Sequence, residues 1–196
     1  MDYATDDTKS SFCSLSKTPA RKDLYQMEQD YIINSEKRVN FITDVVGRST
    51  KNSLVLFHRI EHGQKLYKLL REKYKRPIYY VDGSTDSEIR DVYKSKMEKM
   101  EGVILIASFG TFSTGISVKN IHNIFLTESF KSEVIVRQSI GRGLRLHKNK
   151  DLLTIIDFVD NFIFNNWQNY LYKHGKERQR IYKEQKFNFN IHQVKF

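Results

Sequence analysis

Residues 103–120 read Val-Ile-Leu-Ile-Ala-Ser-Phe-Gly-Thr-Phe-Ser-Thr-Gly-Ile-Ser-Val-Lys-Asn. The first five are wholly apolar, the mark of a strand buried on both faces, and a hydroxyl- and glycine-rich loop follows at once. Working outward, similar short runs recur at 53–57 (Ser-Leu-Val-Leu-Phe), 78–81 (Ile-Tyr-Tyr-Val), 123–127 (Asn-Ile-Phe-Leu-Thr) and 152–157 (Leu-Leu-Thr-Ile-Ile-Asp). Helical periodicity fills the gaps. Residues 63–74 place Leu66, Leu69, Leu70 and Tyr74 on one face, and 86–100 turn Ile89, Val92, Tyr93, Met97 and Met100 inward. Upstream, Leu24, Met27, Tyr31, Val39, Ile42, Val45 and Val46 predict helix over 23–48. Strands that alternate with helices, with no hairpin turns, predict an α/β fold: a parallel sheet covered by helices on both faces. In such sheets ligands bind outside the carboxyl ends of the strands.

The flanks differ in character. Residues 1–22 are polar and predict a flexible lead-in, 23–160 form the α/β domain, and 161–196 form a helical extension and tail. From Phe158 to about Gln185 the chain reads as an aromatic helix with a break permitted at Gly175, and 187–191 alternate as an edge strand would. No internal repeat is present. The formal charge of +10, with 29% charged residues, points to an anionic polymer as partner or to solubility alone. Cys13 is the single cysteine, which excludes an intrachain disulfide and a cysteine zinc site and fits a reducing cytoplasm. No apolar run approaches the ~20 residues of a membrane span, and the N-terminus is no signal peptide, so a cytoplasmic protein without membrane partners is expected.

Two segments carry chemistry. Gly110 and Gly115 have the G-x-x-x-x-G spacing of a phosphate-binding loop, but Ile116 stands where the lysine is required, so the loop is no nucleotide-cradling P-loop. Its amides and hydroxyls suit a nucleic-acid backbone instead, through Ser108, Gly110, Thr111, Ser113 and Thr114. An ordinary Ser/Thr-rich turn is the plainer alternative. Residues 138–147 read Gln-Ser-Ile-Gly-Arg-Gly-Leu-Arg-Leu-His. Arg142 and Arg145, three apart, point the same way on a helical turn and offer two forked cations to a triphosphate. The alternative is a basic surface helix. His58-Arg-Ile-Glu-His62 spells an inverted zinc-protease string, yet His58 closes a strand, so its ring diverges from that of His62 and no metal site is expected. Basic residues 173–183 (Lys173, His174, Lys176, Arg178, Arg180, Lys183) beside Tyr172 and Tyr182 fit either a DNA backbone or a solvated face.

Gln138, Gly141, Arg142 and Arg145 fit Q-x-x-G-R-x-x-R, which resembles the sixth motif of superfamily 2 helicases. The 108–120 loop resembles their fifth motif, with Ser117 where the family usually has an acid and Phe109 where it has a hydroxyl. Residues 54–63 resemble the fourth motif, and Asp82-Gly83 with Arg90 resembles the element that follows it. In order and spacing these segments are similar to the second RecA-like motor domain of such helicases. The wording of 110–122 and 138–145, and the ending 171–182, resemble the UvsW family of recombination helicases from T-even-like phages.

That resemblance implies half of an ATP-dependent enzyme that remodels branched double-stranded DNA by branch migration, fork regression and removal of RNA–DNA hybrids. It implies ATP and Mg2+ sandwiched against a first RecA-like domain, in cis or trans, that carries the Walker motifs this sequence lacks. This chain alone is then expected to be inactive. Arg145 would be the arginine finger with Arg142 beside it. Gln138, Gly141, Gly115 and Ser117 would serve the nucleotide or its coupling. His58, Arg59 and Gly83 would join the loop residues on the DNA track. A non-catalytic DNA-binding or regulatory module, or a translocase motor without strand separation, remain the alternatives.

Overall fold

In a computed structural model of the chain, the structure describes residues 1–115, 118–129 and 152–196. Two compact units emerge. One holds Val39–Glu128 together with the strand Thr154–Asp157; the other holds Met1–Arg38, Ser129 and Phe158–Phe196.

The larger unit is built on five parallel strands: β1 (Ser53–Phe57), β2 (Ile78–Val81), β3 (Ile104–Ser108), β4 (Asn123–Leu126) and β5 (Thr154–Asp157). Their order is β2-β3-β1-β4-β5. Leu56 pairs with Ala107 and with Leu126, Val81 with Ala107, and Asp157 with Leu126, so one row crosses all five strands near their carboxyl ends. The apolar runs behave as read: β1 and β3 are buried at every residue. Helix α4 (Ile60–Lys73) buries Leu66 and Leu70 and packs on β1, β2 and β3. Gly63 lies in its first turns because a Cβ there would meet the Phe57 ring at 2.6 Å. Helix α5 (Ser87–Lys99) departs from expectation. Only Met97 is fully buried, while Ile89, Val92 and Met100 are exposed. Helix α6 (Phe109–Gly115) springs directly from β3.

The smaller unit carries a helix where the extension was expected and differs from the reading of the flanks elsewhere. Residues 1–22 carry helix α1 (Asp6–Leu15) and a 3-10 turn (Pro19–Lys22). Tyr3, Ala4 and Phe12 enter a core with Leu24, Ile32, Ile33, Phe162 and Leu171. The helical stretch expected over 23–48 is present as two helices, α2 (Leu24–Asn34) and α3 (Glu36–Gly47), with Ser35 extended between them. Residues 158–169 are not helical. The Asn169 side chain takes the N–H of Phe162 at 2.9 Å and that of Asn161 takes the N–H of Ile163 at 3.0 Å, bonds that compete with a helix. Asn165 sits at φ 50 in the left-handed region. Helix α7 (Tyr170–Glu184) then runs unbroken through Gly175. That glycine serves a close approach, since its Cβ would lie 2.4 Å from Val159 Cγ1. The expected tail strand over 187–191 is absent, and pairing there is a lone bridge between Asp2 and Lys195.

Two buried ion networks hold this unit. Arg38 and Asp160, both fully buried, form a forked pair at 2.7 Å (Nε–Oδ1) and 2.9 Å (Nη2–Oδ2). The Tyr3 hydroxyl donates to Asp160 at 3.0 Å, and burial followed by the neighbouring carboxylate pushes the phenol well above its ordinary range. Glu28, also buried, accepts the N–H groups of Tyr170 and Leu171 at 3.0 Å each and so caps α7 from outside. Burial raises its carboxyl pKa, and those backbone bonds oppose the rise.

Candidate nucleic-acid interface

Because the sheet is parallel, every strand delivers its next residue to the same edge. That edge receives His58 and Arg59 after β1, Asp82 and Gly83 after β2, Ser108 and α6 at the end of β3, and Thr127 and Glu128 after β4. The chain runs from β1 out to β2, returns through β3 and crosses β1 to reach β4. The switch in direction lies between β1 and β4, the place where open α/β sheets seat ligands.

A residue that sequence reasoning passed over organises this switch. Glu128 is buried, and its Oε1 accepts the backbone N–H groups of both His58 and Arg59 at 3.1 Å, with Oε2 3.2 Å from Arg59 N. A single side-chain oxygen that accepts two adjacent amides fixes the turn that carries the exposed His58. The Thr127 hydroxyl adds a bond to the Leu56 carbonyl at 2.8 Å. The one sequence signal was an acid placed directly after an apolar strand.

The turn after β2 is tied down in the same manner. Asp82 Oδ1 accepts from Ser84 N–H at 2.9 Å and Ser84 Oγ at 2.6 Å, and Oδ2 accepts from the Tyr80 hydroxyl at 3.0 Å. Burial alone would raise this carboxyl; the bonds from Ser84, Tyr80 and Thr85 outweigh it and hold the pKa below the ordinary value. Burial, and the bond it gives to Asp82, push the Tyr80 phenol up. Arg90, on α5, donates to the Gly83 carbonyl at 3.2 Å, so the glycine turn and the downstream arginine do meet. Gly83 itself is exposed, with open space where a Cβ would stand.

The loop after β3 differs in detail from its reading as a row of surface donors. Ser108 and Thr111 are buried: the Ser108 hydroxyl donates to Thr111 Oγ1 at 2.8 Å and accepts the Thr111 N–H at 3.3 Å. These hydroxyls hold the first turn of α6 rather than face outward. Gly110 is exposed, with open space where a Cβ would stand, and the half-buried Ser113 donates to the Gly110 carbonyl at 2.9 Å. Thr114 and Gly115 close α6. Ser117, Gln138, Gly141, Arg142 and Arg145 lie outside the described residues. His58 is exposed and His62 is buried. Among the described residues no three His, Cys, Asp or Glu side chains stand together. No helix there is long and apolar enough to cross a membrane.

On α7 the basic residues sort themselves. Arg178 is buried and its Nη1 donates to Ser129 at 3.2 Å, while Arg180 is engaged by Glu177 and Glu184. Lys173 and Lys176 stand over the rings of Tyr170 and Tyr172 at 5.5 and 5.2 Å.

A five-stranded parallel sheet of this order, with its loops gathered at one edge, is the architecture of a RecA-like helicase C-terminal domain. The family model for the helicase conserved C-terminal domain matches residues 37–147, and the chain belongs to that family. It is 36% identical to the ATP-dependent DNA helicase UvsW of enterobacteria phage T4 over 185 residues, which is 88% of this chain and 37% of that protein. It is 35% identical to the putative ATP-dependent helicase IRC3 of Saccharomyces cerevisiae over 57% of this chain and 16% of that one. The chain thus spans well under half the length of these relatives. The crystal structure of T4 UvsW superposes with a TM-score of 0.79 at 33% identity, covering 100% of this chain and 40% of that one. The E. coli DEAD-box protein SrmB shares the fold, with a TM-score of 0.53 at 20% identity over 64% of this chain and 71% of that one.

Proposed function

We propose that this chain is the C-terminal motor half of an ATP-dependent helicase that remodels branched double-stranded DNA, with RNA–DNA hybrids as further substrates. The observation that carries the reading is the common edge at which Glu128 fixes His58 and Arg59 beside Gly83 and Gly110, in a chain of the helicase C-terminal family. Exposed glycine amides and a fixed cationic turn contact a sugar–phosphate backbone without reading sequence, which is what a motor that travels along DNA requires. Arg145 acts as the arginine finger and Arg142 assists at the γ-phosphate, with Gln138, Gly141, Gly115 and Ser117 coupling that site to the DNA track. ATP, when bound, supplies the free energy of phosphoanhydride hydrolysis. The chain's part is to place fixed positive charge where negative charge gathers on the transferring group, worth about 10³–10⁵ in rate for a finger arginine. A first RecA-like domain holds Mg2+ and the other side of the nucleotide, so this chain alone does not turn over.

The test is ATP hydrolysis stimulated by a four-way DNA junction, measured with this chain alone and with a first motor domain supplied in cis or trans. Activity only in the combination supports the reading. Turnover by the isolated chain refutes the division of labour. Silence in both, with salt-sensitive junction binding retained, favours a non-catalytic DNA-binding module.

A further inference from the structure

A cleft of about 550 Å³ in the smaller unit is lined by Arg21, Lys22, Tyr25, Tyr170 and His174. All five lie outside the residues matched by the helicase family, 37–147. The 3-10 turn supplies the two cations, the first turn of α2 supplies Tyr25, and α7 supplies Tyr170 and His174 one helical turn apart on one face.

The rings are held in place. Gln29 donates to the Tyr25 hydroxyl at 2.7 Å and Arg21 Nε to the Tyr170 hydroxyl at 3.4 Å. Tyr25 meets Tyr170 edge-on, centroids 6.3 Å apart, and His174 at 5.3 Å. Lys173 stands 5.5 Å over the Tyr170 ring. Glu28 fixes the start of α7 through Tyr170 N–H and Leu171 N–H. Glu28 faces these amides, and Glu177 is paired with Arg180 at 2.6 Å.

Pre-set aromatic rings inside a cationic rim are the elements of a single-strand site: bases stack on rings whatever their sequence, and phosphates follow the cations. An acidic peptide would need the cations but not the rings. We propose that this cleft seats a single DNA strand, one base stacked on the Tyr25 ring with the edge-on Tyr170 beside it, and its phosphates at Arg21, Lys22 and Lys173. The proposal rests on the helicase reading and gives the extension a purpose within it: grip on an unpaired arm of the branched substrate.

The experiment titrates the whole chain with a labelled oligodeoxythymidylate across salt concentrations, without ATP. Arg21→Ala with Lys22→Ala, both exposed, weakens binding and flattens the slope of log K against log salt by about 1.4, two phosphates at about 0.7 each. Tyr25→Phe keeps the affinity, whereas Tyr25→Leu loses about fivefold or more. A control pair in the other unit, Arg71→Ala with Lys75→Ala beside Tyr67 and Tyr74, stays within about twofold of the parent. Equal losses from the two basic pairs would reduce the effect to net charge and overturn the proposal. So would unchanged binding, or displacement of the oligonucleotide by polyglutamate as readily as by unlabelled strand. Should the Tyr25 variants unfold, as circular dichroism would reveal, the Arg21/Lys22 pair decides. Photocrosslinking of an iododeoxyuridine strand to the peptides bearing Tyr25 or Tyr170 decides as well. Normal junction-stimulated hydrolysis by an assembled motor whose cleft variants bind single strands like the parent would sink the cleft and leave the motor reading standing.

Discussion

Replacing Glu128 tests whether one carboxylate organises the loop at the sheet edge. Its Oε1 takes the N–H groups of His58 and Arg59 at 3.1 Å, and Oε2 shares that of Arg59 at 3.2 Å. A hydrogen bond to a charged group contributes about 1.5–3 kcal/mol and a neutral one about 0.5–1.5 kcal/mol. Glu128→Ala removes both bonds, and because His58 is exposed, water recovers part of the loss; a destabilisation of about 3 kcal/mol follows. Glu128→Gln with its amide oxygen in the Oε1 position keeps both bonds as neutral ones and loses about 2 kcal/mol. Urea unfolding gives the two differences, and hydrogen exchange shows whether the amides of His58 and Arg59 open first in the alanine variant. An alanine variant within about 0.5 kcal/mol of the parent would refute the reasoning, since that is the scatter of ordinary surface changes. A glutamine variant as damaging as alanine would show that charge rather than acceptor geometry holds the loop.

Other expectations come from the buried pair and from packing. Arg38→Met or Asp160→Asn alone costs about 3–5 kcal/mol by leaving a buried charge without its partner. Replacing both with apolar residues of similar size, together with Tyr3→Phe to remove the hydroxyl that donates to Asp160, recovers most of that loss, as a mutant cycle in urea would show. Gly175→Ala drives a Cβ to 2.4 Å from Val159 Cγ1 and costs about 1–3 kcal/mol, and adding Val159→Ala relieves it in thermal melts. For Asp82 the folded pKa is depressed, so in the acid range the unfolded chain binds more protons. Its contribution is complete above the ordinary value of 3.8 and is lost as pH falls through the folded value. Ser84→Ala with Thr85→Val flattens that acid limb of a stability–pH curve and leaves its neutral slope unchanged.

The sheet was legible because burial on two faces writes strands as unbroken apolar runs; 53–57 and 78–81 match β1 and β2 residue for residue. What failed to show was pairing at long range. Tyr3 and Phe12 look like isolated aromatics in a polar segment until Phe162 supplies their partner, with ring centroids 5.4 and 6.1 Å away. For the same reason nothing in the sequence singles out Arg38 and Asp160: each is costly to bury alone, and only the fold brings them 2.7 Å apart. On α5 the periodic residues Ile89 and Val92 were assigned inward, yet they are exposed, because an apolar stripe does not say which side has a neighbour. At the candidate site, the positions after each strand were predictable from the parallel topology. The inward turn of Ser108 and Thr111 was not, since a hydroxyl's choice between solvent and its own backbone depends on local geometry.

The central claim is that this chain contributes the arginine side of a composite ATP site. It is tested most directly by DNA-stimulated hydrolysis in the assembled motor carrying Arg145→Ala, with junction affinity measured in parallel. The account predicts a fall of about 10³-fold or more in turnover with affinity within about threefold of the parent. Turnover that survives the substitution, or a loss of DNA binding that accounts for the fall, would contradict it.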